Sequence, residues 1–142
     1  MMVRTVKHAW AIALGIYVAA LAFLVVLVDL GRMWDPVKDL IWKTPLGDKV
    51  AHFLLVGVLA GLAVRASRGH RARWLFGLPT AALAVFALAT GEELSQRWIP
   101  SRSVDLYDFL ANTSGIVVFG WLATLGPARV RARRSPPAPR AG

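Results

Sequence analysis

One polar stretch between two apolar runs holds the residues of this chain that are best suited to chemistry. It spans residues 90–115 and reads TGEELSQRWIPSRSVDLYDFLANTSG. Half of the chain's eight acidic residues lie in it, together with two arginines and two side-chain amides. Carboxylates can act as general acids or bases, and arginines bind anionic groups through paired hydrogen bonds. The stretch therefore indicates a site rather than a simple linker.

Helical spacing places these residues on shared faces. A stripe with steps of three, four and three residues consists of Asp105, Asp108, Asn112 and Gly115. Glu93 and Gln96 are three residues apart at the end of the preceding run. Further upstream, Asp48 and His52 are four residues apart and would share one face of another helix. We therefore expect Asp48 to orient His52, which could then act as a general acid or base.

The apolar runs that must position these residues predict an all-α polytopic membrane protein, four transmembrane helices in a small bundle. The chain has 142 residues, of which 56% are hydrophobic and 18% charged, and a soluble domain of this size could not bury so much apolar surface. One domain over residues 1–126 would contain spans at about 9–28, 50–64, 74–90 and 109–125. Pro79 predicts a mild kink in the third span. Residues 127–142 are basic and proline-rich, which predicts a disordered tail.

The first run has an alternative interpretation as a signal peptide that is cleaved after Ala22. The run continues without a charge to Val28, which favours a retained span.

The distribution of basic residues predicts that both termini and the tail are cytoplasmic. The net charge is +9. With both termini inside, the cytoplasmic segments hold eleven of the 17 bases and no acid, whereas the outer loops hold all eight acids. This asymmetry is the positive-inside pattern. The positive charge is therefore a topology signal, and we predict no nucleic-acid partner.

Helix dipoles indicate which polar residues need partners. The third helix would end at the polar stretch, where Glu92 and Glu93 meet its negative end, and Lys49 would meet the positive end of the second helix. Because both placements are unfavourable, we expect an ion-pair network that joins Glu93 with Arg102 or Lys49.

Three interpretations of the polar residues stay open at this point: a structural network between helices, a ligand or substrate site, and a metal site. The metal interpretation rests on one histidine among several carboxylates. Because the chain has no cysteine and no HExxH pattern, we predict no metal and no cofactor.

The polar motifs resemble those of the VanZ-like proteins. The segment DKVAHF gives Asp-Lys-x-x-His, and the stretch from residue 92 gives E-x-x-Q, an arginine, two spaced acids and Asn-x-x-Gly. The matching residues are Asp48, Lys49, His52, Glu93, Gln96, Arg102, Asp105, Asp108, Asn112 and Gly115. The resemblance covers about residues 48–120 and implies a multi-pass bacterial inner-membrane protein with a role in the cell envelope. The family is named for a member associated with resistance to the antibiotic teicoplanin; the resemblance supplies no reaction and does not imply resistance here.

Together these observations predict a membrane-embedded site at the outer face that binds or acts on an envelope lipid or a lipid-linked anionic ligand. The candidate catalytic residues are His52 and Glu93, and whether the protein is an enzyme is left open. The candidate ligand-binding residues are Asp48, Lys49, Gln96, Arg102, Asp105, Asp108 and Asn112. Lys49 and Arg102 would pair with a phosphate or carboxylate.

The alternative function is a non-enzymatic accessory subunit or scaffold of a larger membrane complex. Small residues would then provide docking faces for membrane-protein partners at Ala11, Gly15 and Ala19 and at Gly57 and Gly61. In this case the polar cluster is an internal structural network.

Overall fold

The computed structural model of the chain describes residues 2–44, 46–67, 74–75, 77–98 and 105–125. The helices in these ranges are α1 (Met2–Asp29), α2 (Asp35–Trp42), α3 (Gly47–Ala66), α4 (Thr80–Ser95) and α5 (Leu106–Leu122). Two-residue strands β1 (Trp74–Leu75) and β2 (Leu78–Pro79) pair antiparallel before α4. Short 3-10 turns, Gln96–Trp98 and Ala123–Leu125, extend α4 and α5. The predicted all-helical bundle is thus correct apart from this small hairpin.

Three segments of the described chain are long and apolar enough to cross a membrane. They are His8–Asp29, Gly47–Ala66 and Leu106–Leu125. Their limits lie within three residues of the first, second and fourth predicted spans, because each run is bounded by charges or by a change to polar sequence. These segments support a multi-pass membrane protein.

The predicted third span differs most from the structure. The paired strands occupy residues 74–75 and 78–79, and α4 begins only at Thr80, with Pro79 as its N-cap residue. A proline at this position costs no helical hydrogen bond because the first N–H groups of a helix have no partner within it. The predicted kink at Pro79 is therefore wrong. At its other end, α4 continues to Ser95 and the 3-10 turn to Trp98, so that Glu92 and Glu93 lie in its last turn as expected.

The loop predicted after the first span contains one short helix, α2. Asp35 and Pro36 occupy its first turn, where a carboxylate suits the helix dipole and proline suits the free N–H positions. The helix is only eight residues long.

Helix α3 is at the centre of the bundle and packs against α1, α4 and α5. The closest approach is to α5, where Gly57 and Gly115 are both buried. A Cβ at Gly115 would collide with the carbonyl oxygen of Phe53, and one at Gly57 would lie 2.7 Å from Phe119 Cδ2. Helix α1 is tied to α3 by the Tyr17 hydroxyl, which donates to the carbonyl oxygen of Leu55 at 2.8 Å. The small residues Gly57 and Gly115 thus set the distance between α3 and α5.

We expect Gly115→Ala to destabilise the bundle by about 1–3 kcal/mol, because the added methyl group must push α5 away from the Phe53 backbone. The measurement is thermal unfolding of the purified protein in detergent. The matched control is Gly91→Ala in α4, where a Cβ meets nothing within 4 Å and the change should be neutral or stabilising by up to about 1 kcal/mol. Equal effects of the two substitutions would contradict the close packing at Gly115.

Candidate functional site

The polar motifs of the sequence meet at one end of the bundle. The first turn of α3, the last turn of α4 and the start of α5 are adjacent there, and hydrogen bonds join all three. Residues that are more than 50 positions apart in the chain, such as Lys49 and Asp105, thereby come into direct contact.

The ammonium group of Lys49 is at the centre of this end. Its Nζ donates to Asp48 Oδ2 at 2.9 Å, to Asp105 Oδ2 at 2.5 Å and to Asp108 Oδ1 at 2.6 Å. The side chains of Lys49 and Asp108 are only 19% and 13% exposed. An ammonium has three N–H donors, so each donor of Lys49 already has a carboxylate acceptor. We call these four residues the lysine–aspartate cluster.

The hydrogen bond from Lys49 lowers the pKa of Asp105 below its usual value of 3.8, and the backbone N–H of Tyr107 acts in the same direction. A carboxyl whose pKa is depressed in the folded state stabilises the fold above its unfolded-state pKa. The contribution of Asp105 is therefore complete at neutral pH and is lost only as the pH falls below about 3.8 through the folded-state pKa.

His52 contacts α5 rather than the residue that spacing predicted. Its Nδ1 lies 3.2 Å from Asn112 Oδ1, and its Nε2 lies 3.8 Å from Asp108 Oδ2. The predicted His52–Asp48 pair is wrong, because both oxygens of Asp48 bond to Lys49. In the tautomer that carries its proton on Nδ1, that N–H donates to Asn112 and Nε2 is an acceptor, which is the geometry that a general base needs.

Glu93 is buried at the junction of α4 and α5. Its Oε1 accepts a hydrogen bond from the backbone N–H of Asp105 at 3.1 Å, whereas Oε2 has no hydrogen-bond partner in the described part of the chain. Asp105 is the N-cap of α5, and its Oδ1 caps the N–H of Tyr107. The unfavourable position of Glu93 at the end of α4 is thus offset by the positive end of α5. The predicted ion pair between Glu93 and Lys49 is wrong. Arg102, the alternative partner predicted for Glu93, lies outside the described residues.

Two buried amides complete the polar end. Gln96 is 2% exposed, and its Nε2 donates to Glu92 Oε1 at 3.0 Å. Asn112 is also buried and contacts His52 as described above. Gln96 is the C-cap residue of α4, whereas Asn112 lies about two turns inside α5.

A cavity of about 710 Å³ lies beside this cluster. Its polar end is lined by Asp48, Lys49, His52, Glu92, Gln96, Asp105, Asp108 and Asn112, with Lys38 of α2 nearby. Its apolar wall comes from α1, α3 and α4, through Leu21, Leu24, Val25, Val28, Leu55, Val56, Leu59, Leu88 and Ala89. The cavity is therefore amphipathic, with charge and hydrogen-bonding groups at one end and hydrocarbon along the rest.

The structure brings seven of the nine predicted site residues to this cavity. Glu93 instead borders a smaller pocket of about 360 Å³ between α4 and α5, and Arg102 lies outside the described residues. Sequence analysis did not include Glu92 in the site, although it belongs to the same polar stretch. It also missed the apolar wall, because lipid-facing and cavity-facing leucines look alike in a sequence. Among the described residues, no group of three or more His, Asp and Glu side chains is arranged to hold a metal ion.

A comparison with known protein families gives a match over most of the chain. The family model described as VanZ/LLP1 matches residues 17–126, a range that includes every motif residue discussed above. Searches of curated proteins and of solved structures find no match to the chain.

We expect the pair Lys49–Asp108 to show a strong coupling in a double-mutant cycle made with Lys49→Met and Asp108→Asn. Loss of Lys49 leaves three carboxylates close together, so the single change should lower stability by about 1–3 kcal/mol. The coupling between the two positions should be at least about 1 kcal/mol. Thermal unfolding in detergent provides the measurement.

The control cycle uses Lys43 and Asp39, which form an ion pair at 2.8 Å with side chains 75% and 49% exposed. Its coupling should stay below about 0.5 kcal/mol. Equal couplings in the two cycles would contradict a central role for Lys49.

Proposed function

Because the chain belongs to the VanZ/LLP1 family, we propose that it is a four-span protein of a bacterial inner membrane that binds an envelope lipid or lipid-linked molecule in its amphipathic cavity. The observation that carries this proposal is the cavity of about 710 Å³, with ionisable residues at one end and aliphatic walls from three helices. A soluble metabolite would leave most of this wall exposed, whereas an acyl or isoprenoid chain would cover it.

The proposed topology adds α4 to the three candidate segments as a further membrane span, the third in chain order. The start of α3, the end of α4 and the start of α5 meet at one end of the bundle, which requires α4 to run opposite to its neighbours. At 16 residues, α4 is about 24 Å long, and the hairpin before it and the 3-10 turn after it extend the crossing. The segments that this topology places at the opposite end of the bundle hold eleven of the 17 basic residues and no acidic residue. This charge distribution supports an outer position for the polar end.

Residues of both α1 and α4 line the cavity, among them Leu24 and Leu88, and both helices pack on α3. This lining supports lateral entry from the bilayer between α1 and α4 as part of the proposal. A lipid could therefore insert its chain between these helices while its headgroup contacts the polar end.

The role of Lys49 in this proposal differs from the one that the sequence suggested. Because its three donors are taken by aspartates, Lys49 shapes the site and has no donor left for a phosphate. Binding of an anionic group would then depend on other bases, such as Lys38, which lines the cavity, or Arg102. If the bound molecule is also processed, His52 is our candidate for the base, because it lines the cavity and contacts Asn112 through Nδ1.

We expect Leu88→Trp to reduce lipid binding by about tenfold, because an indole in the opening between α1 and α4 would occupy the space of the acyl chain. Leu88 lines the cavity and is 70% exposed. The measurement is native mass spectrometry of the purified protein, which counts the lipids that remain bound after release from the detergent.

The matched control is Leu110→Trp on α5, an exposed leucine that does not line the cavity. This variant should retain lipid like the unmodified protein. Equal lipid retention by both variants would overturn the proposal that the cavity holds the lipid.

A second candidate function, that of an accessory subunit, is favoured by the surface of α1. Of the two predicted small-residue faces, the one with Gly57 and Gly61 packs against Phe119 within the chain. The other, with Ala11, Gly15 and Ala19, is exposed, and a Cβ at Gly15 would meet nothing within 4 Å. This face is suited to a membrane helix of a partner.

If the protein acts as an accessory subunit, Gly15→Leu should remove a partner that co-purifies in mild detergent while leaving lipid binding and thermal stability unchanged. Comparison of the co-purified proteins with and without the substitution is the measurement. An unchanged set of co-purified proteins would exclude α1 as the docking face.

A further inference from the structure

We infer that helix α2 is a lid over the polar end of the cavity, and that the backbone of Leu46 is the hinge on which this lid opens and closes. The inference rests on the proposed function, because such a lid controls how a lipid headgroup enters and leaves the same cavity.

The position of α2 makes it part of the cavity wall. Its residues Lys38 and Ile41 line the cavity, and the helix packs on α3, whose first turn carries Asp48 and Lys49. The chain turns toward α2 just after α1, at Gly31, which has a φ of 64° and ends the helix in the left-handed conformation that glycine favours. Helix α2 therefore lies beside the lysine–aspartate cluster.

Gly47 allows α2 to lie directly on the start of α3. A Cβ at this position would lie 2.5 Å from the carbonyl oxygen of Ile41 and 2.8 Å from that of Leu40, both in the last turn of α2. Glycine is therefore the residue that fits this contact without a shift of α2. Because Ile41 also lines the cavity, a side chain at position 47 would lift part of the cavity wall.

The closed position of α2 requires an unfavourable backbone conformation at Leu46. The N–H of Gly47 donates to the carbonyl oxygen of Thr44 at 2.9 Å, which closes a turn whose third residue is Leu46, at φ 63° and ψ 9°. A positive φ at this turn position suits glycine or asparagine, and Leu46 is the one non-glycine residue with a positive φ in the described part of the chain. Its side chain is 70% exposed, so packing of this side chain offsets little of the strain.

These features describe an element with two positions. With α2 against Gly47, Leu46 is strained, whereas with α2 lifted Leu46 can relax to a negative φ. The left-handed conformation of a leucine changes an equilibrium by a factor of about 5–30, a range in which a bound ligand can shift the balance. Contacts of a headgroup with α2 thus hold the lid closed, and relaxation of Leu46 favours its opening once the cavity is empty.

The test follows the position of α2 with two spin labels on the purified full chain in detergent without added lipid. Because the chain has no cysteine, Leu40→Cys on α2 and Leu94→Cys on α4 provide two specific attachment sites, and both side chains are exposed. Pulsed electron paramagnetic resonance measures the distribution of distances between the labels. A second pair, Val50→Cys on α3 with Leu94→Cys, reports on the bundle without α2 and should not change.

Two substitutions should move the lid in opposite directions. Gly47→Ala should raise the ratio of open to closed lid at least about fivefold, because the methyl group overlaps the last turn of α2. Leu46→Gly should lower this ratio by about 5–30-fold, because glycine adopts a positive φ without strain. Leu46→Asn should act in the same direction, since asparagine also tolerates this conformation and keeps its Cβ. The matched control for Gly47→Ala is Gly91→Ala, where a Cβ meets nothing within 4 Å.

The same substitutions should change the rate at which lipid leaves the cavity. The full chain with bound phosphatidylglycerol is mixed with an excess of the same lipid that carries deuterated acyl chains, and native mass spectrometry follows the exchange over time. Gly47→Ala should accelerate the exchange at least about fivefold, and Leu46→Gly should slow it. Positions 46 and 47 lie outside the cavity lining, so neither substitution removes a contact with the lipid.

The outcomes separate the lid from the proposed function. Unchanged label distances in both Gly47→Ala and Leu46→Gly would overturn the lid whether or not lipid binds, and Leu46→Gly alone decides if Gly47→Ala does not fold. Equal changes in the two label pairs would also overturn it, because the whole bundle would then have moved. Opposite effects of Leu46→Gly and Leu46→Asn would overturn strain at Leu46 as the cause. Absence of bound lipid in the unmodified chain would overturn the proposed function, whereas the label distances would still decide whether α2 moves.

Discussion

The ammonium group of Lys49 is the interaction on which the polar end of this bundle depends. A lysine in the first turn of a helix is opposed by the helix dipole. Three aspartates that lie around the same ammonium group repel each other. The contacts of Nζ with Asp48, Asp105 and Asp108 resolve both problems together. Because two of these aspartates belong to the start of α5 and its N-cap, Lys49 also fixes the register of α5 against α3. Close packing at Gly57 and Gly115 holds the same two helices further along.

The cavity follows from this arrangement of α3 and α5. These two helices form the tightest pair, with Phe53 and Phe119 in edge-to-face contact at a centroid distance of 5.7 Å. Helices α1 and α4 also pack on α3, and residues of all three helices line the cavity. The polar end of the cavity coincides with the lysine–aspartate cluster. The charged residues that join the helices therefore also line the cavity.

Much of the fold could be predicted because the apolar runs are bounded by charges, and the membrane limits the chain to helices of known length. The hairpin before α4 was missed because Pro79 was interpreted as a kink, whereas it precedes the helix. The site residues could be predicted as a group, since motifs at the ends of antiparallel helices must meet. The contacts between these residues could not be predicted. Spacing shows that Asp48 and His52 share a helix face, but the packing of α5 against α3 brings Asn112 into contact with His52. The same packing places the backbone N–H of Asp105 against Glu93.

The central claim is that the space between α1 and α4 holds one amphipathic molecule with its headgroup at the polar end. The most direct test is an experimental structure of the full chain in a lipid nanodisc that contains phosphatidylethanolamine and phosphatidylglycerol. We predict elongated density along Leu24, Leu59 and Leu88 that ends in a headgroup beside Gln96 and Asp108. A structure in which α1 packs directly against α4, with no space for a chain between them, would contradict the account.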